Sequence, residues 1–333
     1  MDTRELRKYV KPLQWQAGPE GLYPGELYWM EGDAHMEGIG LSFAFTYVKE
    51  PCTFHPVTGM ITHPYDEVLV FGSLDPGDIR TLGGTVSITL GAEGEVYTFN
   101  KSTAICIPAG LPHGPLRVLD TDKPFVHYAL SLNSKYSAAA SPAPDMPSSH
   151  SGEADDTADA GADAGGKYAH LIKDFYFHFD PDDKSEMGYA MAVENGVAHP
   201  ADAGVGPGNA DNLIWLFGDE LEDFEVNFTW GHYSRCGKWH RAGETQTHPE
   251  EEAIFFVGLN PYDPSDFQAE MEQGLGPDGE RYIINSPSVY VIPPDLEHLP
   301  VLIRWVDEPY GLVVVGLAGP HASTWKTKAE DLI

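Results

Sequence analysis

The sequence contains the stretch THPYDEVLVFG at residues 62–72 and a second version of it, THPEEEAIFFVG, at residues 247–258. Both stretches begin Thr-His-Pro, place a glutamate four residues after the histidine, and continue into an apolar run. Such runs, rich in branched and aromatic residues and closed by glycine, are typical of buried strands. The arrangement therefore predicts the same strand, preceded by the same polar pair, at two places in the chain.

The repeat extends beyond these two stretches. A shift of 185 residues aligns 55–113 with 240–298 without a gap, and roughly a third of the aligned pairs are identical. The identical pairs include three histidines and one glutamate: His55 with His240, His63 with His248, Glu67 with Glu252, and His113 with His298. This series predicts a tandem duplication.

Short strand-like segments recur about every eight to twelve residues in both halves, with Gly, Pro, Asn or Asp between them. We therefore predict an all-β chain with a sandwich or barrel in each half. Helix is expected only at the N-terminal DTRELRKYV, at 266–273 (DFQAEMEQ) and in the C-terminal tail.

Residues 134–166 consist largely of Ala, Ser, Asp, Gly and Pro and have little to bury. We interpret this segment as a flexible acidic linker. It predicts an N-terminal domain at 1–133 and a C-terminal domain at 167–333, each near the usual size of one domain.

The composition narrows the class of partner. The 51 acidic against 20 basic residues give a net charge of −31, and such a field disfavours nucleic acid and anionic membranes. No apolar run reaches transmembrane length, and the start of the chain lacks the apolar core of a signal peptide. The 3 cysteines show no CxxC spacing, which makes a disulfide framework improbable and predicts a cytoplasmic protein.

His63 and Glu67 are too far apart on one straight strand to share an ion, at about 13 Å. A helix would bring them together, but Pro64 and the strand that follows leave room for hardly more than one turn. We therefore predict a tight bend with His63 on one strand and Glu67 on the next, both facing inward, and His113 closing the site from a third strand. Imidazole and carboxylate groups converging in this way suit a divalent transition metal.

These motifs resemble those of the cupin superfamily. The residues that carry the resemblance are HPYDEVLVFG with PAGLPH in the first half, and HPEEEAIFFVG with PPDLEH in the second, where Asp295 stands in place of the family's glycine. The resemblance implies two tandem double-stranded β-helix barrels of the cupin, jelly-roll-like type, that is, a bicupin with a metal in each barrel. It implies His63, Glu67 and His113 as ligands of one site, and His248, Glu252 and His298 as ligands of the other.

The chain departs from the family at the histidine that usually precedes the first motif histidine by two residues. Ile61 and Gln246 occupy that position. We expect that His55 and His240 either replace the missing ligand or hydrogen bond around the site, and the sequence supports both alternatives equally.

Further pocket residues have weaker support. Tyr97 and Tyr282 recur in both halves and could orient a substrate, although core packing explains them as well. Arg241, beside His240 in RCGKWHRAG, could attract a carboxylate, although ordinary loop chemistry is the simpler explanation.

The resemblance implies Fe, Mn, Ni or Zn as the metal and a small carboxylate or phenolic compound as the substrate. It is compatible with a dioxygenase, our first expectation, and with a metal-dependent decarboxylase, lyase or isomerase. A non-catalytic sensor or carrier is the alternative from another class. Cupins often pair through their sheets, so a homodimer is a further expectation, although two halves of one chain could meet the same need.

Overall fold

The computed structural model describes residues 3–142, 166–175, 193–194, 197–198, 210–238, 244–321 and 324–327. In chain order the strands are β1 Val10–Pro12, β2 Trp15–Ala17, β3 Glu26–Glu31, β4 Ser42–Val48, β5 Thr53–Phe54, β6 Met60–Thr62, β7 Glu67–Ser73, β8 Thr81–Leu90, β9 Glu95–Lys101, β10 Thr103–Ile107, β11 His113–Thr121, β12 Phe125–Ser131, β13 Ala139–Ser141, β14 Ile172–Asp174, β15 Val193–Glu194, β16 Val197–Ala198, β17 Asn212–Leu216, β18 Asn227–Tyr233, β19 Gly237–Lys238, β20 Glu244–Thr247, β21 Glu252–Gly258, β22 Ala269–Leu275, β23 Glu280–Ile284, β24 Ser288–Ile292, β25 His298–Val306, β26 Tyr310–Gly316 and β27 Thr324–Thr327.

The helical elements in the described residues are short. One α-helical turn, α1, spans Gly32–His35, and 3-10 helices span Thr3–Tyr9, Ala169–Leu171 and Gly218–Glu220. The prediction of an all-β chain is confirmed. Among the described residues, no helix combines the length and the apolar character needed to cross a membrane.

The first barrel is built from the described residues of Gln14–Glu31 and Leu41–Phe175. One of its sheets has the strand order β14-β10-β7-β12-β4-β3-β2, and the other has the order β13-β6-β11-β8-β9 with β5 paired to β11. All seven residues of β7 and of β12 are buried, because these strands lie in the middle of their sheet. This explains why most of the residues in both strands are apolar.

The second barrel is built from the described residues of Met1–Leu13, Gly32–Gly40 and Tyr176–Ile333. Its sheets have the orders β1-β24-β21-β26-β18-β17 and β23-β22-β25-β20-β27, with β19 paired to β25. Its apolar cluster includes Met271, Tyr290 and Leu312.

The duplication extends through the whole strand pattern. Four strands of the first barrel, β7, β10, β11 and β12, begin 185 residues before β21, β24, β25 and β26 of the second barrel. Their pairing agrees as well, since β7 lies between β10 and β12, and β21 lies between β24 and β26. Equivalent positions in the two barrels can therefore be compared residue by residue.

The structure differs from the sequence-based expectation of a helix at 266–273. That prediction is wrong, because β22 occupies Ala269–Leu275 and pairs with β25. Ala269, Met271 and Gln273 are buried, while Glu270 and Glu272 between them are half-buried. This alternation with a period of two is that of a strand with one face in the core.

The segments that form the two barrels also differ from the halves that the predicted linker would separate. Ala139–Ser141, within the predicted linker, forms a strand against β6. Val10–Pro12, within the predicted first domain, pairs with β24 of the second barrel. Residues 143–165, most of the predicted linker, lie outside the described residues.

Candidate metal centre

The first motif carries the chain from one sheet of the first barrel to the other. His63 follows the last residue of β6, and Glu67 is the first residue of β7, which belongs to the facing sheet. The predicted bend is therefore present, and the strands on either side of it lie in different sheets. Both side chains are buried, at 2% exposure for His63 and 0% for Glu67.

Two further histidines reach the same place from the sheet that contains β6. His113 opens β11 and lies opposite Ile61 in the strand register. His55 follows β5, which also pairs with β11. His55 adopts a left-handed φ of 48°, and its carbonyl approaches Gly114 so closely that a Cβ atom at Gly114 would lie 2.4 Å from it. A glycine at position 114 therefore allows His55 to enter the barrel.

The structure brings His55, His63, Glu67 and His113 together. One potential ligand atom from each residue lies within 4.8 Å of those of the other three. The Oε2 atom of Glu67 lies 2.9 Å from the Nε2 of His55, 3.2 Å from that of His63 and 3.7 Å from that of His113. Two atoms bound to one ion at about 2.1 Å would lie about 3.0 Å apart at a right angle and about 3.4 Å apart in a tetrahedron. The observed spacing thus fits a shared transition-metal ion.

Hydrogen bonds of the outer ring nitrogens determine which nitrogen of each imidazole faces into the site. The Nδ1 of His63 lies 3.0 Å from the carbonyl oxygen of Ser137, and the Nδ1 of His113 lies 3.0 Å from that of Leu111. A carbonyl only accepts, so each Nδ1 must carry the proton. Each imidazole therefore turns its Nε2 toward Glu67, the orientation that metal-binding histidines have.

The Nε2 atoms of His63 and His113 are buried and have no hydrogen-bond partner among the described residues. The other oxygen of Glu67, Oε1, accepts a hydrogen bond of 2.6 Å from Ser131 Oγ, which holds the carboxylate in place. Buried lone pairs that converge without a donor are costly. The group therefore fits a cation, and a divalent metal meets this need with all four donors.

The pKa shifts in the group have two causes, burial and the charges of neighbouring side chains. Burial alone would raise the pKa of Glu67, but the neighbouring His55 and His63 lower it well below its usual value, so the carboxylate stays ionised. Burial lowers the pKa of His113 to about 3, which keeps that imidazole neutral. Burial alone would lower the pKa of His63, but Glu67 raises it. The ionised Glu67 thus attracts positive charge into this buried site, and a metal ion can supply that charge.

The second barrel contains a corresponding group made of His248, Glu252 and His298. The Oε2 of Glu252 lies 3.3 Å from His248 Nε2 and 3.4 Å from His298 Nε2. The Nδ1 atoms of these histidines lie 2.8 Å from the carbonyl of Glu250 and 2.9 Å from that of Leu296. The inward Nε2 atoms therefore again face the carboxylate. Burial alone would lower the pKa of His248, but the charge of Glu252 raises it to about 9, so this site attracts a positive charge, as the first one does.

Solved structures with a similar backbone are oxalate decarboxylases of Bacillus subtilis. A tryptophan-to-tyrosine variant matches with a TM-score of 0.54 and 10% sequence identity, covering 95% of this chain and 78% of the other. The enzyme at pH 4.6 matches with a TM-score of 0.53 and 11% identity, covering 95% of this chain and 77% of the other. These neighbours are bicupins.

The chain has a bicupin fold. A third bicupin neighbour is a structure from work on the Mn(II) centres of the same Bacillus subtilis enzyme, with a TM-score of 0.51, 10% identity, and coverage of 95% of this chain and 77% of the other. No family model and no curated protein sequence matches the chain. The resemblance predicted from the motifs is thus confirmed at the level of fold, with both metal-binding groups in the barrels that a bicupin requires.

The weaker predicted site residues lie elsewhere or outside the described part of this bicupin. The hydroxyl of Tyr97 donates to Glu95, and that of Tyr282 donates to Glu280 at 2.8 Å, and these contacts connect neither tyrosine to the His/Glu groups. His240 and Arg241 lie outside the described residues. A role for these four residues stays a prediction.

Sequence reasoning missed residues that surround the first group. The ring of Tyr136 lies 5.2 Å from that of His63, yet Tyr136 belongs to the predicted linker. Tyr23 and His127 contact His55 in a chain of hydrogen bonds. His127 has no counterpart in the second half, since Leu312 stands at the corresponding position. Its position in the buried strand VHYALSL was the available signal, since a buried histidine needs hydrogen-bond partners.

Proposed function

We propose that the chain is a bicupin enzyme that uses a divalent metal to act on a small carboxylate, with decarboxylation as the reaction. The proposed catalytic centre lies in the first barrel, with His55, His63, Glu67 and His113 as ligands. The observation that carries the proposal is the convergence of four buried ligand atoms. Two of them, the Nε2 atoms of His63 and His113, have no hydrogen-bond partner among the described residues. In the second barrel, His248, Glu252 and His298 are the proposed ligands.

Charge favours a carboxylate as the substrate. A divalent ion held by three neutral imidazoles and one carboxylate leaves one net positive charge inside a barrel that excludes water. This local charge would draw a small anion in, although the chain as a whole carries a net charge of −31. Four protein ligands also leave about two positions of an octahedral ion for substrate oxygens. When bound, the metal supplies Lewis-acid or redox chemistry to the substrate.

Tyr136 is the residue that we propose to face the substrate. Its hydroxyl is buried and has no hydrogen-bond partner among the described residues. The ring packs edge-on against His63 and also against Trp29, with 5.2 Å between centroids in each pair. Burial and then the charge of Glu67 raise the pKa of Tyr136, so the hydroxyl keeps its proton. It can therefore donate a hydrogen bond to a carboxylate oxygen.

Neighbouring contacts hold Tyr136 at the site. Its backbone N–H donates to Glu31 Oε1 at 2.9 Å. The carbonyl of the next residue, Ser137, is the acceptor for His63 Nδ1 and also for the hydroxyl of Tyr65. The segment that carries Tyr136 is thus hydrogen bonded to the proposed ligand His63. The same segment would therefore position both the metal and the substrate.

The solved neighbours favour a decarboxylase over our first expectation of a dioxygenase. Those neighbours are oxalate decarboxylases, and one of their structures comes from work on Mn(II) centres. We therefore propose Mn as the first of the four candidate metals and oxalate, or a carboxylate of similar size, as the first substrate to test.

The test is to reconstitute the metal-free chain with Mn(II), Fe(II), Ni(II) or Zn(II) and to measure CO₂ release and O₂ uptake with oxalate and other small carboxylates. We expect CO₂ release without matching O₂ uptake. Tyr136→Phe should lower kcat by about 10- to 100-fold while the metal content stays unchanged. O₂ uptake that matches substrate consumption would favour the dioxygenase, and saturable binding without turnover would favour a carrier or sensor.

A further inference from the structure

A buried chain of hydrogen bonds leads away from the first group through His55. The Nδ1 of His55 lies 3.3 Å from the Tyr23 hydroxyl, and the same hydroxyl lies 3.1 Å from His127 Nε2. The Nδ1 of His127 lies 3.1 Å from the carbonyl oxygen of Val70, in the middle of β7. Both imidazoles are 0% exposed. The chain therefore ends inside the sheet and has no exit to solvent through His127.

The acceptor at the end of the chain, the carbonyl of Val70, determines which group donates in each hydrogen bond. The carbonyl of Val70 can only accept, so His127 carries a proton on Nδ1. The ring of His127 is 0% exposed and its hydrogen-bond partners are a carbonyl and a hydroxyl, so it is neutral and its Nε2 accepts. The donor to Nε2 is the Tyr23 hydroxyl, whose single proton is thereby used. The oxygen of Tyr23 must then accept from His55, which places a proton on His55 Nδ1.

We propose that Tyr23 and His127 are positioning residues that hold His55 as the Nδ1–H tautomer and so make its Nε2 the fourth metal ligand of the first barrel. This proposal rests on the metal site proposed above. It answers the question of what replaces the histidine missing at Ile61.

The alternative tautomer would work against metal binding. With the proton on Nε2, His55 would donate to Glu67 Oε2 at 2.9 Å and occupy the oxygen that the other two imidazoles face. The hydrogen bond to Tyr23 holds the proton of neutral His55 on the far side of the ring. Positioning residues of this kind typically change metal affinity by about 10- to 100-fold when they are removed.

The second barrel shows that the arrangement is not a general requirement of the fold. Leu312 faces Phe256 in the strand register of that barrel, as His127 faces Phe71 in the first. Leucine has no polar atom, so the imidazole of His127 has no equivalent at that position.

The test uses Co(II) as the probe in a His248→Ala background, so that the first barrel holds the intact group. We expect His127→Leu and Tyr23→Phe to weaken Co(II) binding by about 10- to 100-fold and to change the visible absorption of bound Co(II). His127→Gln, whose amide oxygen can accept from Tyr23, should bind Co(II) with an affinity within about threefold of the parent's. That change is much smaller than the one expected for His127→Leu. Tyr290→Phe is the matched control, because it removes a buried hydroxyl that donates to Tyr282 in the second barrel.

The proposal is overturned if His127→Leu keeps the Co(II) affinity and spectrum of the parent. It is also overturned if His127→Gln is as weak as His127→Leu while both unfold at the control's temperature, because packing would then be the cause. If His127→Leu does not fold, Tyr23→Phe, which keeps the ring, decides the question. A parent that binds no Co(II) contradicts the metal site itself, whereas normal binding without CO₂ release contradicts only the proposed reaction.

Discussion

The two barrels hold their proposed ligands in nearly the same geometry but support them differently. The carboxylate of Glu67 lies 3.2 Å and 3.7 Å from its two motif histidines, and that of Glu252 lies 3.3 Å and 3.4 Å from its own. In both barrels, a backbone carbonyl fixes the outer nitrogen of each motif histidine. These contacts depend on backbone geometry, which the strand pattern repeats.

The side chains that support the ligands have diverged. Ser131 donates to Glu67, whereas Gly316 faces Glu252 in the same register. Ile61 lies opposite His113, whereas Gln246 lies opposite His298, with its amide nitrogen 3.0 Å from His298 Nε2. The first group is thus supported by side chains that are specific to it. We infer that duplication kept the ligands in both barrels and that the supporting residues make the first site the catalytic one.

The largest expected effect comes from removing one carboxylate at a time. Glu67→Gln and Glu252→Gln should each lower the bound Mn(II) by about one equivalent per chain, because an amide cannot replace the ionised ligand. Only Glu67→Gln should lower CO₂ release, by about a thousandfold, which is about 4 kcal/mol of transition-state stabilisation. Metal analysis and the rate of CO₂ release measure the two effects. Equal loss of activity in both variants would show that the two barrels do not differ in function.

The fold and the motif residues could be predicted because the duplication compares the chain with itself. His63, Glu67 and His113 repeat as His248, Glu252 and His298, and the strands around them repeat with the same spacing. A residue that is functional in one copy alone leaves no such trace.

Tyr23, His127 and Tyr136 could not be found in this way, because the contacts that matter join residues far apart in the chain. Tyr23 and His127 are 104 residues apart, and Tyr136 precedes β13, a strand that the composition does not distinguish from the linker. The helix predicted at 266–273 failed for another reason. Glutamate and glutamine favour helix on propensity, but the alternating burial of β22 and its pairing with β25 decide the structure.

A second prediction concerns the way His55 enters the first barrel. Gly114 has a φ of 83°, and a Cβ atom there would lie 2.4 Å from the carbonyl of His55. Gly114→Ala should destabilise the first barrel by about 3 kcal/mol and weaken metal binding, because His55 must move. Denaturant unfolding and Co(II) titration measure these effects.

Gly110→Ala separates the two causes. Gly110 has a similar φ of 80°, but a Cβ atom there would meet nothing within 4 Å. Its cost should be about 1 kcal/mol, from the backbone conformation alone, with metal affinity unchanged. If both variants bind Co(II) like the parent, the close approach of Gly114 does not position His55.

The smallest expected effect comes from exchanging the residues at the turn where the second half has Asp295 and the first half has Gly110. Asp295 adopts a φ of 61°, the same left-handed conformation as Gly110 at the corresponding position. In both turns the backbone N–H of this residue donates to the backbone carbonyl of the motif histidine, Asp295 to His248 at 2.9 Å and Gly110 to His63 at 2.7 Å. The aspartate therefore preserves the turn at a conformational cost.

Asp295→Gly should stabilise the second barrel by no more than about 1 kcal/mol without a change in metal content, since glycine adopts this conformation freely but loses more entropy on folding. The exchange Gly110→Asp should have the opposite sign, measured by the same unfolding experiment, and a large loss of metal in either variant would show that the turns differ in more than backbone conformation.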